Sequence, residues 1–144
     1  MMKLEKADVR LNQHFSDKTA AITAAGTLLQ EQGYVTEEYI PKMIERDRMT
    51  STFIGNLVAI PHGTEDSKTA ILKSGIVIIQ APEGVSFDGN EVKLIIGIAG
   101  VENEHLALLS EIAMVCSEME NVEKLISAQN EAEIIDFFKG GIAV

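Results

Sequence analysis

Two apolar runs constrain this chain more than any other feature: Gly75–Gln80, GIVIIQ, and Val92–Ala99, VKLIIGIA. A strand with one wet face alternates apolar and polar residues, whereas these runs are almost continuously Ile/Val-rich, so they read as strands covered on both faces. Leu57–Ile60 reads as a third buried strand and Val9–Leu11 as a short fourth. Helical patterns alternate with these strands, which predicts an α/β fold: a single-domain sandwich with a central mixed sheet flanked by helices on both faces. At 144 residues the chain is well below the roughly 250 at which single cores divide, and no Ser/Gly/Pro-rich linker or internal repeat interrupts it. Residues 1–144 are therefore taken as one domain, with the strand order left open.

The helices announce themselves by caps and periodicity. Ser16 or Asp17 can cap a helix through Ala20, Ala21, Ala24, Leu28 and Leu29, with Gly33 as its stop. Thr36, followed by Glu37 and Glu38, predicts the start of a second helix reaching about Arg48, with Pro41 early in it. Asn103 is the expected cap of a long helix to about Met119, whose apolar stripe holds Leu108, Leu109, Ile112, Val115 and Cys116. A short helix is expected over Asn121–Ala128, and Asn130 with Glu133 has capping-box spacing before a last helix closed by Gly140 and Gly141.

Charge and composition remove whole classes of function. Lys+Arg total 12 against 22 Asp+Glu, a formal net charge of −10, and no basic run offsets it, so direct nucleic-acid binding is not expected. The longest apolar run, Leu94–Val101, is far short of the roughly 20 residues a membrane span needs, so no membrane insertion is expected. The opening MMKLEKADVR has no apolar segment or small-residue cleavage site, which makes cytoplasmic residence the expectation. Cys116 is the sole cysteine, excluding an intramolecular disulfide and any multi-cysteine metal site.

Three side chains stand out as candidates for chemistry. His62 lies in Val58-Ala59-Ile60-Pro61-His62-Gly63-Thr64, where proline ends sheet pairing and glycine permits a tight turn. The imidazole is thus expected at a strand end, where open α/β sheets bind ligands; the bland reading is a turn histidine. His105 falls two residues after the Asn103 cap, aligned with the apolar stripe. It is expected to point inward at a helix N-terminus that favours anions and a neutral ring, the alternative being a core-edge histidine bonded to backbone. Arg46, with Arg48 as its competitor, ends the second helix in a charge-mixed segment. Its planar fork would suit phosphate oxygens if it faced His62, and otherwise makes a surface salt bridge. Thr64 is a possible supporting hydroxyl. Cys116 is expected to be a buried apolar filler and His14 superficial. No nucleotide-binding glycine loop and no Gly-x-Ser-x-Gly serine motif is present.

With these residues in hand, Asp47–Gly63, DRMTSTFIGNLVAIPHG, closely resembles the active-site signature of the type-2 enzyme IIA (EIIA) domains of the sugar phosphotransferase system. QEQGYVTEEYIPKMIERDRMTSTFIG, APEGVSF over Ala81–Phe87, and LIIGIAGVENEHLALL extend the resemblance over nearly the whole chain, toward the mannitol-specific branch. The resemblance implies that His62 accepts phosphate from phosphorylated HPr by its Nε2, that His105 stabilises the phosphoryl group, and that Arg46 rather than Arg48 contacts phosphate. It further implies a phosphotransferase component with no cofactor and no metal, and a cysteine on the EIIB domain of a membrane sugar permease as acceptor. Some mannitol-type relatives have an acidic residue where this chain has Asn56. Asn56 accordingly joins Thr64 as a supporting residue, with the hydrogen bonding behind the site left open.

Two other readings compete. A regulatory, nitrogen-type EIIA shares the phosphorylated histidine but reports phosphorylation state; the Asn103-Glu104-His105-Leu106 context and APEGVSF favour the mannitol branch. A metal-dependent hydrolase using His62, His105 and a carboxylate such as Glu104 as ligands is the outlier, because the two histidines are far apart in sequence and no local ligand motif supports it.

Overall fold

A computed structural model describes residues 2–142. In chain order the elements are β1 (Met2–Lys3), a 3-10 turn (Lys6–Asp8), β2 (Val9–Arg10), α1 (Lys18–Glu31), α2 (Tyr39–Met49), β3 (Phe53–Gly55) and β4 (Val58–Ala59). A second 3-10 segment (Glu65–Ala70) follows, then β5 (Gly75–Phe87), β6 (Asn90–Ala99), α3 (Glu104–Cys116), α4 (Met119–Ser127), α5 (Glu131–Phe137) and β7 (Gly141–Ile142). Five strands form one sheet in the order β2-β5-β6-β4-β3, and β1 pairs with β7 in a separate ribbon. β2 runs parallel to β5 and β4 parallel to β6, while β5/β6 and β3/β4 are antiparallel, so the central sheet is mixed as expected.

The continuous apolar runs occupy the two central strands. Alternate residues serve opposite faces: Val77, Ile79 and Ile95 pack with Ile22, Ala25, Leu29 and Met43 of α1 and α2. Ile76, Ile78, Leu94, Ile96 and Ile98 pack with Leu108, Ile112, Val122, Leu125 and Ile134 of α3, α4 and α5. Each face therefore buries its own core, which is why Ile76–Ile79 and Leu94–Ile98 carry no polar residue.

The caps divide into those that form and those that do not. Asp17, rather than Ser16, caps α1 by accepting from the Ala20 N–H at 2.8 Å, Gly33 follows with φ +81°, and Asn130 accepts from the Glu133 N–H at 3.0 Å. Thr36 does not cap α2. Its N–H is drawn to the Ala70 carbonyl at 2.8 Å and its hydroxyl reaches Glu38, so the helix begins at Tyr39 with Pro41 in its first turn, where no N–H is missed. Asn103 holds the cap position of α3 without a side-chain bond. The long helix expected to reach Met119 stops at Cys116 because side-chain amides take its last carbonyls: Asn121 Nδ2 bonds Val115 O, and Asn56 Nδ2 bonds Cys116 O, both at 2.9 Å. The chain then restarts as α4.

Strand lengths also differ from expectation. Gly75–Gln80 is the first half of a strand running to Phe87, with a register shift between Gln80 and Val85 that accommodates Pro82. The expected Leu57–Ile60 strand shortens to Val58–Ala59 because Asn56 and Leu57 both take positive φ in the turn from β3, a strand the sequence reading omits. Gly141, expected to end the last helix, instead opens β7.

Candidate functional site

β4 and β6 are parallel neighbours, so their C-terminal ends emerge together. Pro61 does not end the pairing abruptly: its carbonyl accepts from the Ile98 N–H at 3.0 Å, carrying the ladder one step beyond β4. His62 follows this step, and His105 enters from the first turn of α3 just beyond the end of β6. The last turn of α2 supplies Arg46. All three line one cavity of about 650 Å³, with Thr64, Tyr39 and Lys68 also in its wall.

His62 is 6% exposed, more enclosed than a displayed turn residue, yet its ring opens onto this cavity. Its Nδ1 lies 2.7 Å from the Ile60 carbonyl. A carbonyl only accepts, so Nδ1 carries the proton and Nε2 retains its lone pair. Burial pushes the pKa of His62 down to about 4; the Ile60 bond opposes this, and the charges of His105 and Arg46 add to it. The ring is neutral at physiological pH. The imidazole of His105 stands with its centroid 5.2 Å from that of His62, at 58°. Burial first, then Arg46, lowers its pKa as well, and its buried Nδ1 has no hydrogen-bond partner.

Arg46 donates one N–H to the Thr50 carbonyl at 2.9 Å, which anchors the guanidinium at the helix end and leaves other donors for the cavity. Thr64 precedes the 3-10 segment, and its hydroxyl donates to Asp66 Oδ1. Asn56 is not brought to the cavity; both of its amide bonds go to the end of α3, at the Cys116 and Ser117 carbonyls. His14 is exposed beside Glu83 at 3.4 Å. Cys116 is buried, and burial raises its thiol pKa to about 11.

Two residues absent from the sequence reading hold the site together. The buried Tyr39 hydroxyl accepts from the Gly63 N–H and donates to the Ile98 carbonyl, both at 2.8 Å, tying the loop after His62 to the end of β6. Gly100 lets α3 settle on that strand end, since a Cβ there would lie 2.4 Å from His105 Cα. A tyrosine opening a helix and a glycine closing an apolar run were the available signals, and neither names a partner.

A cavity lined by two neutral imidazoles and one arginine suits an oxyanion group such as phosphate. Glu104, the carboxylate offered as an example of a third metal ligand, accepts from Ser74 Oγ at 2.8 Å, and among the described residues no group of three His, Cys, Asp or Glu could hold a metal ion. No helix among them is long and apolar enough to cross a membrane.

Residues 2–140 match the family model described as phosphoenolpyruvate-dependent sugar phosphotransferase system, EIIA 2. The mannitol-specific phosphotransferase enzyme IIA component of Bacillus subtilis (strain 168) is 55% identical over 96% of this chain and 97% of its own length. In a solved complex of mannitol enzyme IIA with phosphorylated mannitol enzyme IIB from Escherichia coli, the matching chain has a TM-score of 0.90 at 31% identity, covering 97% of this chain and 99% of that one. The nitrogen regulatory protein IIA-Ntr of Neisseria meningitidis shares the fold with a TM-score of 0.79 at 26% identity, over 94% of this chain and 95% of that one.

Proposed function

This chain belongs to the EIIA 2 family of the phosphoenolpyruvate-dependent sugar phosphotransferase system, and from that premise we propose that it carries phosphate on His62 from phospho-HPr to the EIIB of a mannitol permease. The observation that carries this reading is the Nδ1 contact of His62 with the Ile60 carbonyl. It leaves Nε2 as a neutral nucleophile on the cavity shared with Arg46 and His105.

In the first transfer the Nε2 lone pair attacks phosphorus in line. The donor's P–N bond breaks, its electron pair returning to the donor nitrogen, and a new Nε2–P bond forms. Positive charge develops on the His62 ring, and the Ile60 carbonyl at Nδ1–H stabilises it without a proton transfer. Arg46 offsets charge on the phosphoryl oxygens. His105 supports them as a donor: a buried N–H without a partner is costly, so its proton belongs on Nε2 rather than on the unpartnered Nδ1. In the second transfer the P–N bond at His62 breaks toward the EIIB cysteine. Cys116 is buried and plays no part.

Leu106, 69% exposed on the cavity wall, supplies apolar contact for a docking partner. The net charge of −10 steers association toward basic rims, so transfer is expected to slow as salt rises. Identity of 55% to a mannitol component over 96% of the chain supports sugar uptake over regulation.

The test is direct. With phosphoenolpyruvate, enzyme I and HPr, the purified chain is expected to acquire a single acid-labile phosphate, lost in His62→Ala. A stoichiometric zinc ion with no phosphorylation would overturn the reading. Complementation of strains lacking individual sugar components tests the assignment to mannitol.

A further inference from the structure

Asp47 is a buried carboxylate that the transfer chemistry leaves unused. It is 3% exposed and lies in the last turn of α2, next to Arg46, where the negative end of the helix dipole disfavours an anion. Lys18, the first residue of α1, stands where the positive end disfavours a cation. The two meet, Lys18 Nζ lying 2.9 Å from Asp47 Oδ2 and 2.8 Å from Asp88 Oδ1. Burial raises the Asp47 pKa, but Thr52 and Lys18 more than offset it and hold the carboxyl below its ordinary value. Since neither ion gains from its own helix, the reason for the pair lies in what the carboxylate holds.

Its other oxygen, Oδ1, accepts from the Thr52 N–H at 2.9 Å and from the Thr52 hydroxyl at 2.7 Å. The Thr52 carbonyl accepts from the Ile60 N–H at 2.9 Å, and the Ile60 carbonyl accepts from His62 Nδ1–H at 2.7 Å. The hydrogen bonds thus run in series from a buried carboxylate to the imidazole. On its β6 side Ile60 is flanked by sheet bonds that reach Pro61; on its β3 side, where the strand has only three residues, its N–H is held by the Thr52 carbonyl.

We propose that Asp47, neutralised by Lys18, is a positioning residue for His62: by gripping Thr52 it fixes the Ile60 carbonyl, which keeps the imidazole in its Nδ1–H tautomer with Nε2 free for phosphorus. This rests on the reading of His62 as the phosphorylated residue. A merely structural staple between α2 and β3 would stabilise the fold without governing the ring.

The full chain carrying Asp47→Ala separates these roles. Phosphate transfer from phospho-HPr is followed by rapid quench, and the His62 tautomer by long-range 15N–1H correlation spectra of the unphosphorylated protein. The expected result is a kcat lower by about 10- to 100-fold with KM changed less than about twofold, and a His62 pattern shifted from pure Nδ1–H to a tautomer mixture. Asp47→Asn, which keeps an oxygen for Thr52, is expected to recover most of both. A folded Asp47→Ala with wild-type kcat and an unmixed Nδ1–H pattern overturns the proposal, whatever its melting temperature. If Asp47→Ala does not fold, the near-isosteric Thr52→Val removes the hydroxyl bond alone: a partial tautomer shift with slower transfer supports the proposal, and an unchanged ring and rate overturn it. The spectrum needs no phosphoryl group, so persistent phosphorylation of His62→Ala would sink the transfer reading while the tautomer result still decides this one.

Discussion

Burial of His62 has a measurable consequence for acid stability. Its pKa falls from 6.5 to about 4, chiefly by burial, so the unfolded chain binds a proton more readily than the folded one. Stability tied to this ring is therefore fully present above pH 6.5 and is lost as pH falls through 6.5 toward 4. At about 1.4 kcal/mol per unit, the shift corresponds to a loss of about 3 kcal/mol between pH 7 and pH 4, the residue being almost fully enclosed. The perturbation is His62→Gln, which removes the titrating group while the chain's carboxylates titrate alike in both proteins. Urea unfolding at half-unit intervals from pH 7.5 to 4 gives two curves whose difference isolates the imidazole, any constant offset from the lost Ile60 contact cancelling. Wild type is expected to lose about 3 kcal/mol more than the variant. Parallel curves, or an NMR titration placing His62 near 6.5, would refute the claim that burial sets the protonation state of this ring.

Other outcomes follow from the same geometry. Arg46→Ala removes the cavity guanidinium and is expected to slow phosphate transfer from phospho-HPr by about 100-fold; Arg46→Lys, which keeps charge but not the fork, is expected to fall between, in the same rapid-quench assay. Tyr39→Phe leaves the Gly63 N–H and the Ile98 carbonyl without the buried hydroxyl, for an expected loss of about 1–3 kcal/mol in urea unfolding.

How much of this could be read from the chain depends on whether a residue's role is local. The double-faced burial of Ile76–Ile79 and Leu94–Ile98 was legible because strand periodicity is a property of the segment itself. The Asp17 and Asn130 caps were legible because their partners lie three residues on. Thr36 had equally good local chemistry and failed, because its hydroxyl donates to Glu38 instead of accepting from the helix start, while its N–H pairs with the distant Ala70 carbonyl. The end of α3 failed for the same reason, its carbonyls being taken by Asn56 from across the fold. At the site, His62 could be picked out from the Pro-His-Gly context. Its proton placement depends on a carbonyl two residues back, and its anchoring depends on Tyr39, neither of which a pattern reveals.

The same enclosure that costs acid stability suits the role proposed for His62, that of a group which must both take and give phosphate. On that reading, a nucleophile held neutral needs no general base, and Nε2 stays available for attack at any pH above about 4. Lowered basicity also makes the ring a better leaving group, because the electron pair that returns to Nε2 in the second transfer is less strongly held for proton or phosphorus alike. A solvated imidazole of ordinary pKa would be half protonated near pH 6.5 and would release phosphate less readily. The proposed P–N bond would also need protection from water, and a ring only 6% exposed in a cavity wall meets that need too. The sheet brings the two rings together by running β4 and β6 parallel, so that one strand end delivers His62 and the other delivers the helix bearing His105. Had those strands been antiparallel neighbours, their C-terminal ends would lie at opposite edges of the sheet and the two rings could not meet.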